Sequence, residues 1–163
     1  MKFRIVLNAF CLLLAAASIV SAVAMADDAP SVERSPSPDG AAVGFSNLAD
    51  GDVVPPTFRV VFSISGMGIA PAGTQIDNTG HHHLLIDLDE LPDLDQPLPA
   101  SDNLMHFGKG QSETELTLAE GEHTLQLLLA DYRHIPHEPP VFSDVITITV
   151  SANAPAQEDK EED

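Results

Sequence analysis

The chain has 163 residues, with seven Lys and Arg against 25 Asp and Glu, for a formal charge of −18. That balance excludes nucleic acid and anionic lipid surfaces, which demand clustered basic side chains, and with no Trp and one Tyr there is no platform for stacked bases. A single Cys excludes an intramolecular disulfide and a thiolate metal cage, while 44% hydrophobic content suffices for one core.

Lys2 and Arg4 precede an apolar stretch over residues 5–20, and Ala24-Met25-Ala26 then leads into Asp27-Asp28. This is the pattern of a secretory signal peptide, residues 1–26, with cleavage after Ala24 or Ala26. The apolar stretch is too short to serve as a membrane anchor, so the mature chain is not expected to be membrane-embedded. The expected destination of the cleaved chain is the periplasm. Cleavage after Ala26 leaves 137 residues without Cys, with five basic side chains, all 25 acids and a charge of −20. Self-repulsion of that size is tolerable in salt, which suggests a saline habitat.

Residues 27–40 combine Pro, Ser and charge without apolar periodicity and read as a flexible linker. Short strands are expected at 42–45, 57–65, 81–87, 114–118, 122–130 and 145–150, from alternating or β-branched patterns punctuated by Gly and Pro. No long segment has helical period. About seven short strands in residues 41–151 argue for one all-β domain, an immunoglobulin-like antiparallel β-sandwich. Residues 91–102 hold three Pro and three Asp, so they are expected to be a long connection rather than a strand. Residues 152–163 read as an acidic, disordered tail.

All seven histidines fall between His81 and His137. Period-two geometry puts His81, His83 and Leu85 on one strand face and His82, Leu84 and Ile86 on the other. In the later strand the face of Leu125, Leu127 and Leu129 is the more apolar and should meet the core, with His123 at its end. His106 lies in a Gly-rich loop, and His134 and His137 flank Ile135-Pro136 after Asp131. Neutral imidazole is the commonest protein ligand for zinc and copper. The candidate ligands are therefore His81, His83, His106, His123, His134 and His137, more than one tetrahedral site needs. Asp131 or Asp87 are the candidate partners for a ligand's second nitrogen, and Met67 and Met105 are the available thioethers. The competing reading gives these histidines hydrogen-bonding roles only. Acids at Asp87, Asp89, Glu90, Asp93 and Asp95 offer oxygen ligands for calcium, but Pro92 breaks the EF-hand pattern, and a solvated loop is preferred. Neither G-x-S-x-G nor G-x-x-x-x-G-K-[ST] is present, so catalysis is not expected except through metal-bound water.

The stretches at 66–73 (GMGIAPAG), 78–87 (NTGHHHLLID), 106–111 (HFGKGQ) and 121–131 (GEHTLQLLLAD), with His134, His137 and Pro139-Pro140, carry a resemblance. Together they resemble an uncharacterised bacterial exported family, the domain of unknown function 4399 group. The resemblance implies an exported bacterial β-domain and brings no activity with it. The expected function is a non-enzymatic copper- or zinc-binding module. The alternative is a module that contacts an envelope protein or a glycan through the same loops.

Overall fold

The computed structural model describes residues 32–155. The expected signal peptide lies outside the described residues, as does most of the expected tail. The described residues form ten strands and no helix: β1 (Ala42–Phe45), β2 (Val53–Val54), β3 (Thr57–Ser65), β4 (Gly68–Ile69), β5 (Thr79–Ile86), β6 (Leu104–His106), β7 (Glu113–Thr117), β8 (Gly121–Ala130), β9 (Pro136–Phe142) and β10 (Ile146–Val150). The fold is all-β. Among the described residues no helix is long and apolar enough to cross a membrane.

Two sheets are formed. One has the order β1-β3-β7; the other runs β2-β10-β8-β5-β4, with β6 also paired to β5 and β9 to β8. Most pairings are antiparallel, but β2–β10 and β4–β5 are parallel, so the sheet is mixed where a wholly antiparallel one was expected. Both parallel pairs are only two residues long. They form where a neighbouring connection grazes a sheet edge, which leaves no periodicity in the sequence to read.

Alternation along the strands builds the core between the sheets. Val43, Phe58, Val60, Phe62 and Leu116 from one sheet meet Leu84, Ile86, Leu125, Leu127, Leu129 and Ile148 from the other. Burying each such side chain is worth about 1.5–3 kcal/mol, which suits a chain with no disulfide in this domain. The face of Leu125, Leu127 and Leu129 thus meets this core, as the pattern requires.

The opposite face of the larger sheet is buried as well. Leu85, Leu104, Leu128 and Ala130 form a second cluster there with Leu98, and Leu94 and Phe142 pack against it. Residues 91–102 are the connection that covers this face. Their path is fixed by Leu98 N–H donating to the His134 carbonyl at 2.8 Å, and by Asn103 Nδ2 donating to Ile86 O at 2.8 Å. Strand β5 is consequently buried on both faces, from Gly80 through Ile86.

Residues 34–37, within the stretch read as linker, are held against β9. Ser37 N–H donates to Glu138 O at 3.0 Å and Glu138 N–H to Ser35 O at 2.9 Å. Arg34 adds bonds to the carbonyls of Pro136 and His137 and an ion pair with Glu138 at 2.6 Å. Strand β9 itself occupies what the three prolines 136, 139 and 140 mark as a loop. It pairs with β8 only at Leu128–Ala130, and the register shifts between Leu129 and Ala130, so Pro139 and Pro140 fall outside the paired positions while Pro136, at the first residue of the strand, opposes Ala130.

Candidate metal centre

The site grows out of β5. Its register opposes His83 to His106 of β6 and to Leu128 of β8, and His81 to Ala130. Paired residues share a face, so His81, His83 and His106 all emerge on the outer face beside the second cluster. His82 points the other way, into the main core, with its ring 5.0 Å from that of Phe62.

A turn brings the fourth ring. Asp131 Oδ1 accepts from the backbone N–H of Arg133 (2.8 Å) and Ile135 (3.1 Å), while His134 N–H donates to Asp131 O at 2.9 Å. This clasp holds His134 at φ 68°, a left-handed conformation that is uncommon for a residue with a side chain. The ring is thereby delivered to the cluster. Centroid separations are 4.8 Å for His81–His83, 4.9 Å for His81–His106, 5.0 Å for His81–His134, 5.1 Å for His83–His106, 4.7 Å for His106–His134 and 6.2 Å for His83–His134. Donor atoms of His81, His83 and His106 lie within 4.8 Å of one another, the one such group of three or more among the described residues. The acids of the 87–95 loop form no such group.

Burial grades across the cluster. His81 and His83 are completely buried, His134 is half-buried, and His106 is exposed. Both ring nitrogens of His81 and both of His83 are buried without a hydrogen-bond partner. Burial, followed by the neighbouring His106 and His134 rings, pushes the His81 pKa down to about 4, with Asp131 pulling weakly upward. Burial and the three surrounding imidazoles push His83 to about 2, and the nearby His81 backbone opposes this without making a regular bond. His106 is lowered by burial and by His134. His81 and His83 therefore present neutral nitrogens at any pH near neutrality, which is the state a metal ion requires.

The remaining candidates lie elsewhere. His123, five residues from Leu128 along β8 and so about 17 Å away from the His83 row, has Nδ1 2.7 Å from Asp87 Oδ2 and Nε2 3.0 Å from Ala119 O. Both neighbours are acceptors, so both nitrogens must donate. Burial works against the resulting charge, but the Asp87 and Ala119 bonds outweigh it and raise the pKa. An imidazolium held this way has no lone pair for a metal. His137 is buried on β9, its ring in contact with none of the four, and it lines a cavity of about 500 Å³ together with Arg34, Asp131, Tyr132 and Arg133. Burial lowers its pKa, offset in part by backbone acceptors at Leu129 and Thr79.

Neither carboxylate considered as a ligand's partner touches the cluster. Asp87 is taken by His123 and Thr124 N–H, and Asp131 Oδ2 by Ser35 Oγ at 2.7 Å and Arg133 Nη2 at 2.8 Å. Burial alone would raise Asp131, but these hydrogen bonds hold it below the ordinary carboxylate value. The thioethers of Met67 and Met105 pack against the main core, across the sheet from the rings.

Two glycines do work that histidine counting does not reveal. A Cβ on Gly108 would lie 2.2 Å from His106 Cε1, and one on Gly80 would lie 2.6 Å from Ala130 O. Only glycine lets the 107–110 turn close over the His106 ring, and β5 approach β8, in this way. The sequence signal was a Gly beside each histidine stretch, which marks close backbone approach.

A family model described as Domain of unknown function (DUF4399) matches residues 60–151, a span that contains all seven histidines. No curated protein matches the chain, and no solved structure does.

Proposed function

Since the chain belongs to the DUF4399 family, whose description assigns no activity, we propose from the site itself that it is an exported, non-enzymatic transition-metal-binding module. The ligands are His81, His83 and His106, whose donor atoms converge, with His134, whose ring adjoins theirs, as the fourth. The observation that carries the reading is that four buried nitrogens of His81 and His83 lack any partner at the centre of a four-ring cluster. Leaving such atoms unpaired costs about 1–3 kcal/mol each, and a metal relieves one per ring.

The ring spacing favours zinc over copper. With nitrogens about 2.0–2.1 Å from a tetrahedral zinc, ring centres fall about 5.2 Å apart. A square-planar copper(II) site would instead need two opposite pairs about 6.4 Å apart. Five separations lie between 4.7 and 5.1 Å and one is 6.2 Å, while the pair opposite that long one, His81–His106, stands at 4.9 Å. Soft thioether donors, which would favour copper(I), stand on the other side of the sheet. Four imidazoles also fill a tetrahedral ion, leaving no standing position for reactive water.

Within the same reading, the shared core of two sheets supports an immunoglobulin-like sandwich, and the leading 26 residues support export to the periplasm. A second reading, in which the histidines are structural and the protein contacts a glycan or envelope protein, has the cavity beside Arg34 and Tyr132 in its favour. Metal analysis separates the two. The natively exported chain, purified without a His tag, is stripped with chelator and then given zinc, copper or calcium. Stoichiometric zinc uptake with a raised melting temperature is expected. His83→Ala and His106→Ala should lose both effects, and His123→Ala should keep them. Uptake that His83→Ala leaves intact would refute the site.

A further inference from the structure

Resting on the metal reading above, we infer that the site is an exchange port, which releases its ion through the His106–His134 side to an acceptor carrying anionic donors. Three features of the cluster lead there.

The first is its one-sided enclosure. His81 and His83 form a closed floor on a strand buried on both faces, whereas His106 is exposed on a three-residue strand and His134 is half-buried in a turn. An incoming ligand therefore has an approach from one direction only, past the two rings whose supporting backbone is least embedded. Zinc, with no d-electron preference, accepts a fifth donor before it gives up one of four, so such an approach opens an associative route.

The second is the missing outer support. A ligating imidazole normally donates its other N–H to a carboxylate or carbonyl, and loss of that partner costs 10–100-fold in affinity. Here His81 and His83 have no such partner, and Asp131 and Asp87 spend their oxygens on Ser35, Arg133 and His123. Four neutral ligands moreover leave both charges of a divalent ion uncompensated inside the site. An acceptor offering carboxylate or thiolate donors cancels that charge, so transfer runs outward.

The third is that the fold does not lean on the ion. The main core and the cluster under residues 91–102 are both closed by apolar side chains, so the ion can leave without unfolding the chain.

The test is stopped-flow release from the zinc-loaded exported chain into excess EDTA, an anionic chelator, followed with a chromophoric zinc indicator. The expected result is a release rate that rises in proportion to chelator concentration, doubling when the chelator doubles, with the circular dichroism spectrum unchanged afterwards. A rate independent of chelator concentration marks spontaneous dissociation from a closed site and overturns the inference, while leaving the metal reading intact. A purified chain that retains no zinc at equilibrium dialysis overturns both.

Discussion

His83 shows how a single side chain can cost stability and still define the site. It is fully buried, neither nitrogen is bonded, and its pKa is pushed to about 2. Replacement by Leu removes two unsatisfied polar atoms at similar volume, so His83→Leu should stabilise the metal-free chain by about 1 kcal/mol or more while abolishing zinc uptake. Urea unfolding in chelator and in zinc reads both effects, and a lowered midpoint in chelator counts against the account. The pH dependence follows from the same burial. His81 and His82 titrate at about 4 when folded and near 6.5 when unfolded. Between those values the unfolded chain binds protons that the folded chain refuses, so metal-free stability falls as pH drops through that window. His123 has the opposite sign. Its pKa is raised, so its bonds to Asp87 and Ala119 contribute fully below 6.5 and fade as pH climbs through the folded value. Three lowered imidazoles on β5 outweigh one raised on β8, and thermal melts in chelator should show a lower midpoint at a pH of about 4.5 than at about 7. In His123→Ala the acid-side loss should be steeper.

At the level of elements, the cluster depends on three short pieces of chain closing around one strand. The 107–110 turn folds over His106, the 131–134 turn delivers His134, and Leu98 N–H holds the covering connection to that second turn. Ala72 N–H donates to Gly108 O and Gly73 N–H to Tyr132 O, both at 2.9 Å, so residues 70–73 join the two turns. Gly108 is the tightest point of this frame. Gly108→Ala would put a methyl 2.2 Å from His106 Cε1, and the ring is the part free to yield because it is exposed. Zinc affinity in a chelator competition should fall about tenfold or more, with little change in the metal-free melting temperature. A large fall in that temperature instead would mean that the backbone, not the ring, gives way.

For the molecule as a whole, the dominant property is charge. A formal −18 on 163 residues sets the folded chain against its own repulsion. Salt screens that repulsion over about 10 Å at 0.1 M and about 3 Å at 1 M. The melting temperature should therefore rise between low and molar salt, and a flat or falling trend would remove the case for a saline habitat. The same charge draws cations toward the site. Stability must come from the two apolar clusters, which explains why so much of the larger sheet is buried on both faces.

Much of the architecture was legible along the chain. The expected strands at 42–45 and 57–65 coincide with β1 and β3, and those at 81–87, 114–118, 122–130 and 145–150 fall within one or two residues of β5, β7, β8 and β10. Strong alternation dictates these, because only one register buries the apolar side. Strands β2, β4, β6 and β9 were not legible, since two or three residues carry no period and prolines mask β9. The family was also legible, from motif runs that sit where glycine and histidine must approach closely. The site was legible in part. Strand period alone sorted His81 and His83 from His82, because successive side chains must alternate. Nothing local distinguishes His134 from His137, three residues apart, or tells His123 from a ligand. Those distinctions need the αL turn at His134, the Asp87 and Ala119 acceptors around His123, and the connection over the outer face. Each is a contact between residues distant in sequence, so residue type and spacing nominate the imidazoles, and only the folded chain decides which four rings meet.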